Sequence, residues 1–192
     1  THRAEWVLLS PREFLPAAQP LLELRRSQGL LAKAIALEDV YSEFGFGERS
    51  ARAIREFLSL AFHSWRTPPR YVLLLGDATY DPKDYLRTGV PDLAPSEIVK
   101  TSFLWTVSDP SLAAVNGEDL LPDLAIRRLS SGSYEQARRR VDKLVAFEQA
   151  GRNFEGRAVL VADNADLAGS FEADQDGAEV GAGDRVAELD SG

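Results

Sequence analysis

Hydrophobic and polar positions along the chain fall into short unbroken apolar runs that alternate with stretches of helical period. AEWVLLS (4–10) is a run of the first kind and predicts a buried strand. LPAAQPLLELRRSQG follows, with Ala18, Leu21, Leu22 and Arg25 at helical spacing and Gly29 placed as a stop. LLAKAIALEDV (30–40) predicts a second strand. After the turn-like FGFGERS, Ser50 suits the N-cap of a helix that turns Ile54, Phe57, Leu58, Ala61 and Trp65 inward. Thr67-Pro68-Pro69 ends that helix.

RYVLLLGD gives the third strand. From Ala78 to about Asn116 the pattern is irregular and rich in Pro and Asp, and TSFLWTV (101–107) reads as a short strand or a packed loop. LPDLAIRRL (121–129) predicts a fourth strand. Ser133, with Gln136 three residues on, makes a capping box for a helix with Tyr134, Ala137, Val141, Leu144 and Val145 inward. GRAVLVADN (156–164) predicts a fifth strand. Continuous apolar strands alternating with helices imply an α/β protein: a three-layer sandwich, its mostly parallel sheet covered by helices on both faces. In such folds ligands gather at the carboxyl ends of the strands, where Asp39, Asp77 and Asp163 fall.

Composition narrows the classes. With 192 residues and 44% hydrophobic content the chain suits one globular domain, and no apolar run approaches the roughly 18 residues of a membrane span. The chain opens on Thr1 without a methionine, which suggests an excised piece, although removal of Met before Thr gives the same start. The net charge of −8 is concentrated at one end: residues 163–192 hold nine acids against Arg185 alone, whereas residues 1–162 hold 21 charges of each sign. No basic stripe marks a nucleic-acid interface. With zero Cys, a thiol nucleophile is excluded within these residues.

The strand-end acids suit solvated turns and N-caps as readily as a ligand site. Receiver-type and phosphotransferase domains cluster acids in this geometry around magnesium, but a receiver also wants a Lys after a late strand, and none follows VLVADN. Neither GxxxxGK[ST] nor GxGxxG after a strand is present. The loop VNGEDLLPDLAIRR crowds Asn116, Glu118, Asp119 and Asp123 around Gly117, the mixture of oxygens that calcium prefers; a polar turn competes with that reading.

EDVYSEFGFGERSARAIREFL, YVLLLGDATYDPKDYL, LPDLAIRRL with a helix ending in FEQ, and VLVADN together resemble the gingipain-type cysteine peptidases of the caspase-like clan. The resemblance runs from about residue 5 to 175. It implies that residues 1–165 are the α/β subdomain of the first half of such a catalytic domain. Residues 166–192 would then be an acidic tail, cut from the second subdomain and flexible without it. It further implies a secreted or cell-surface bacterial protein whose catalytic Cys and His lie beyond this chain, in a C-terminal subdomain that completes the site for a peptide or protein substrate.

The resemblance carries the family's calcium site over to Asp77, Asp119, the carbonyl of Leu121 and Asp123, with Asn116 standing where the family has an Asp if one residue such as Glu118 is inserted, and Gly117 there if none is. The ion would clip two crossovers together as a structural cofactor, and Asp81 would brace the turn before Pro82. An acid near the last strand end orients the catalytic His in gingipains; Asp163 is the nearest match and Asp166 the second choice, with a strand-end cap as the competing role. Arg127 replaces a small Gly of the family's pattern. His2 and His63 match no catalytic position. Two further classes stay open: a peptidase-like scaffold without activity, and a stand-alone receiver-like module.

Overall fold

The computed structural model describes residues 2–117, 119 and 121–151. The chain up to Glu148 forms one compact unit. In chain order its elements are β1 (Trp6–Ser10), α1 (Leu15–Ser27), β2 (Ala32–Ala36), α2 (Leu37–Phe44), α3 (Ala51–Ser64), β3 (Tyr71–Leu75), β4 (Glu97–Lys100), β5 (Trp105–Ser108), β6 (Ala125–Leu129) and α4 (Tyr134–Gln149).

Four strands form a parallel sheet in the order β2-β1-β3-β6. β1 is buried along its whole length, which explains why its sequence shows no polar alternation. Its successive side chains serve two cores: Val7 and Leu9 meet α2 and α3 through Leu37, Val40, Ile54, Phe57 and Leu58. Trp6 and Leu8 meet α1 and α4 through Phe14, Leu21, Leu22, Ala137 and Val141. The three layers follow from this two-residue period.

Local signals act as their chemistry predicts. Ala53 N donates to Ser50 Oγ at 3.3 Å, capping α3. Gln136 N donates to Ser133 Oγ at 3.3 Å, but the Gln136 side chain accepts from Gly132 N at 2.9 Å, so the box closes one residue early. Arg25, on the inward face of α1, forks onto Glu148 at 2.6 and 2.8 Å and ties α1 to α4.

Two strand bounds are corrected, and one open reading is resolved. The second strand ends at Ala36, and LEDV opens a helix instead. Glu38 and Asp39 lie in its first turn, where acids favour the exposed amide ends, and Leu37, Val40 and Tyr41 pack at helical spacing on the core. TSFLWTV divides between a turn and β5, which pairs antiparallel with β4 in a separate hairpin. The fourth strand starts at Ala125 rather than 121. The fifth strand, Asp163, Asp166 and the tail lie outside the described residues.

Candidate functional site

The parallel sheet presents its carboxyl rim after Ser10, Ala36, Leu75 and Leu129, the end where such folds place ligands. β3 leaves the sheet through Gly76, whose φ of 153° is unfavourable for a side chain, and a Cβ there would meet that of Ala94 at 3.1 Å. Asp77 then joins the rim by its backbone. Its N–H donates to Ser131 O at 3.0 Å, and its carbonyl accepts from Ala94 N at 2.8 Å and Leu93 N at 3.1 Å. The Gly76-Asp77 turn thus lets the loop up to residue 94 fold back against the strand ends.

Asp81 is buried and accepts from Tyr85 N at 3.0 Å and Leu86 N at 2.7 Å, bracing the turn behind it. Asp84 does the same for Thr88 N and Gly89 N at 2.6 and 3.1 Å. Asp92 accepts from Thr79 N at 3.2 Å, and its carbonyl accepts from Arg49 Nη1 at 2.9 Å. Burial raises its carboxyl above the usual range, although the Thr79 amide, Arg128 and Arg49 act against that. Arg49, Pro82, Asp84, Gly89, Val90, Pro91 and Asp92 line an open cleft of about 390 Å³.

Arg128 is the centre of the rim, and sequence reasoning passed over it. Its Nη1 donates to Gly76 O at 2.9 Å and Ala94 O at 2.7 Å, while Nε and Nη2 fork onto Asp109 at 2.8 and 2.7 Å. Ser96 Oγ adds a hydrogen bond to Asp109 at 2.8 Å. Burial alone would raise the Asp109 carboxyl, but Arg128 and Ser96 hold it below the usual range. One guanidinium therefore fastens β3, the loop at Ala94 and the segment after β5 to β6. A cation inside the apolar run LAIRRL was the available signal, since an Arg drawn largely out of water must find acceptors. Beside this network the buried Tyr41 hydroxyl has no hydrogen-bond partner among the described residues; burial, Asp92 and Glu38 push its pKa up against Arg49 and Arg128.

The remaining candidate residues lie elsewhere. Asp123 Oδ2 accepts from Val115 N and Asn116 N, both at 2.8 Å, and Asp119 Oδ1 accepts from Leu121 N at 3.1 Å. This loop precedes β6 and sits at the amino end of the sheet. Tyr71 pairs with Ala125, so Asp123 lies below the start of β3, whereas Asp77 lies beyond its end, beside Ser131. At ~3.3 Å per residue the two carboxylates are on the order of 20 Å apart. The expected calcium clip joining Asp77 to Asn116, Asp119, Leu121 and Asp123 does not form. The residues do not fit a shared ion, and among the described residues no group of three or more His, Asp or Glu is placed to hold a metal. Parallel pairing explains the error, because β3 and β6 run the same way and the chain crosses the whole sheet between them.

His63 Nε2 contacts Val115 O at 3.1 Å and His2 lies against the Trp65 ring at 5.7 Å, both away from the carboxyl rim. Asp39 pairs with the exposed Arg12 in the first turn of α2. The rim can fix loops and present charge; among the described residues neither histidine faces a nucleophile.

This architecture is that of a gingipain-type, caspase-like α/β subdomain, and the comparisons agree. The model of peptidase family C25 matches residues 1–189. The chain belongs to peptidase family C25. Dimeric latent PorU from Porphyromonas gingivalis superposes with a TM-score of 0.63 at 21% identity, covering 77% of this chain and 16% of its own. A complex of the pro- and mature domains of Porphyromonas gingivalis RgpB gives 0.57 at 21% identity, over 76% of this chain and 29% of that one. The Arg-specific cysteine proteinase gingipain R (RgpB) gives 0.58 at 20%, over 76% and 28%. The 192 residues thus span less than a third of these relatives. No curated protein matches by sequence. Among the described residues no helix is long and apolar enough to cross a membrane.

Proposed function

We propose that this chain is the supporting, amino-terminal half of a bacterial cysteine endopeptidase domain, secreted or held at the cell surface. The observation that carries the reading is the match of the peptidase family model to residues 1–189 of a chain with zero Cys. A cysteine peptidase needs a thiolate activated by a His and donors for the oxyanion, so the nucleophile comes from residues outside these 192. The carboxyl rim fastened by Arg128 would form the wall against which that second subdomain assembles. The isolated chain should hydrolyse no peptide.

The test uses the parent protein beside this chain. The parent should cleave a peptidyl-aminomethylcoumarin library and lose that activity on alkylation of a single thiol, while the 192-residue chain stays silent with every substrate. A parent that carries no reactive thiol, or cleaves nothing in the library, would leave a peptidase-like scaffold as the correct reading.

A further inference from the structure

The β4–β5 hairpin reverses the usual polarity of a sheet. Ile98, Trp105 and Val107 are 46%, 66% and 54% exposed, and Phe103 and Leu104 at the tip are 90% and 58% exposed. Glu97, Val99, Thr106 and Ser108 on the opposite face are the half-buried ones. Among the described residues no other element packs broadly against the pair. A lone two-stranded hairpin is marginal in water, yet this one is held firmly at its base. Arg128, Asp109 and Ser96 fix the residues on either side of it, and Thr101 Oγ1 accepts from Phe103 N and Leu104 N at 3.3 and 3.1 Å to shape the tip.

Its backbone is also unfinished. Thr101 N donates to Leu104 O at 2.9 Å, which sets the phase of the ladder. By alternation Val99 with Thr106, and Glu97 with Ser108, exchange hydrogen bonds, while the N–H and C=O groups of Ile98, Lys100, Trp105 and Val107 point outward. None of these outward groups bonds to another backbone group among the described residues. The residues with exposed apolar side chains are therefore nearly the same ones whose main-chain groups have no backbone partner among the described residues.

We propose that the β4–β5 hairpin is a docking arm that binds an extended polypeptide segment with alternating apolar side chains, added as a third strand. Pairing to an open edge supplies affinity through main-chain hydrogen bonds, and the apolar face supplies side-chain contacts every second residue. The fixed base lowers the ordering cost. A second copy of this chain is the poorer fit: these five side chains offer roughly a few hundred Å², against the roughly 800 Å² per partner of a stable interface. An anionic lipid surface also fits poorly, because Lys100 is the hairpin's one cation and Glu97 offsets it. The proposal stands without the peptidase reading, since it concerns binding alone.

The probe is a fluorescein-labelled peptide, Lys-Thr-Val-Thr-Val-Thr-Val-Lys, titrated against the 192-residue chain by anisotropy. A control peptide has every internal amide N-methylated, which leaves its side chains intact and removes the donors. The unmodified peptide should bind and slow amide exchange at Ile98 and Lys100, or at Trp105 and Val107. N-methylation should weaken binding at least about tenfold, and Trp105→Ser about tenfold with an unchanged melting curve. No binding of the unmodified peptide, equal binding of the N-methylated one, or protection confined to another surface overturns the proposal. So does a hairpin-dependent dimer seen by light scattering that excludes the peptide.

Discussion

The four-stranded sheet and the two-stranded hairpin are built from similar residues in opposite ways. In the sheet, Val and Leu side chains from β1 and β3 lie between helical layers, and Leu8, Leu9, Leu74 and Leu75 are wholly buried. In the hairpin, Ile98, Trp105 and Val107 face outward and the half-buried face is the more polar one. The sheet is stabilised by what covers it. The hairpin is stabilised from its root, through a half-buried ion pair and a few carbonyl bonds to Arg128. Apolar pattern alone therefore does not distinguish a core from an interaction surface; what distinguishes them is whether a second layer packs on top.

Several experiments would break or sharpen that contrast. The largest effect belongs to the covered sheet: Leu74→Ala should cost about 2–5 kcal/mol by leaving a cavity between β1, β3 and α3, read as a lower urea midpoint. Loss of only a few tenths would mean that α3 does not seal that layer. Next is the root of the hairpin. Arg128→Met leaves the half-buried Asp109 without its partner and should cost about 1–3 kcal/mol, with amide exchange at 97–108 accelerated far more than at β1. Uniform acceleration would mean that the hairpin and the sheet unfold as one unit.

Smaller effects come from pH, with opposite signs on two rim acids. The Asp109 carboxyl is held below its ordinary 3.8, so it stabilises the fold at neutral pH and that contribution disappears as pH falls through the lowered value. Asp109→Asn should be less stable than the native chain at pH 7 and equal to it in strong acid. The Asp92 carboxyl is raised, so its ionisation opposes folding at neutral pH. Asp92→Asn should be more stable at pH 7, with the advantage vanishing as pH falls through the raised value toward 3.8. Identical signs in the two melting series would contradict the rim geometry.

The smallest expected signal is a coupling of zero. Asp77→Asn and Asp123→Asn, at opposite ends of the β3–β6 pair, should have effects that add within about 0.5 kcal/mol, with and without millimolar calcium. A calcium-dependent coupling would restore the shared ion that the strand register excludes.

Much of the architecture was legible in the residues themselves. Unbroken runs at 4–10 and 70–75 gave β1 and β3, Ser50 and Ser133 marked helix starts, and Gly29 closed the helix before β2, its φ of +87° suiting only a residue without a side chain. These are local effects: periodicity, capping and backbone sterics act over a few residues, so a linear string records them. The LEDV helix was hidden because Leu37 and Val40 continue the apolar look of β2, and only the packing of Tyr41 on α3 tells the two apart. Arg128 carried a signal, a cation in an apolar-looking strand, but its acceptors come from Gly76, Ala94 and Asp109, far off in the chain. The acids of 77 and 123 looked like one cluster because the family resemblance set them together, although in a parallel pair the end of β3 and the start of β6 lie at opposite ends of the sheet. Sequence by itself determined where most of the strands and helices of the described residues lie, and that these residues hold no thiol. Tertiary structure alone decided which carboxylates share an end of the sheet and which apolar face stays uncovered, because both depend on pairing between segments whose separation along the chain carries no spatial information.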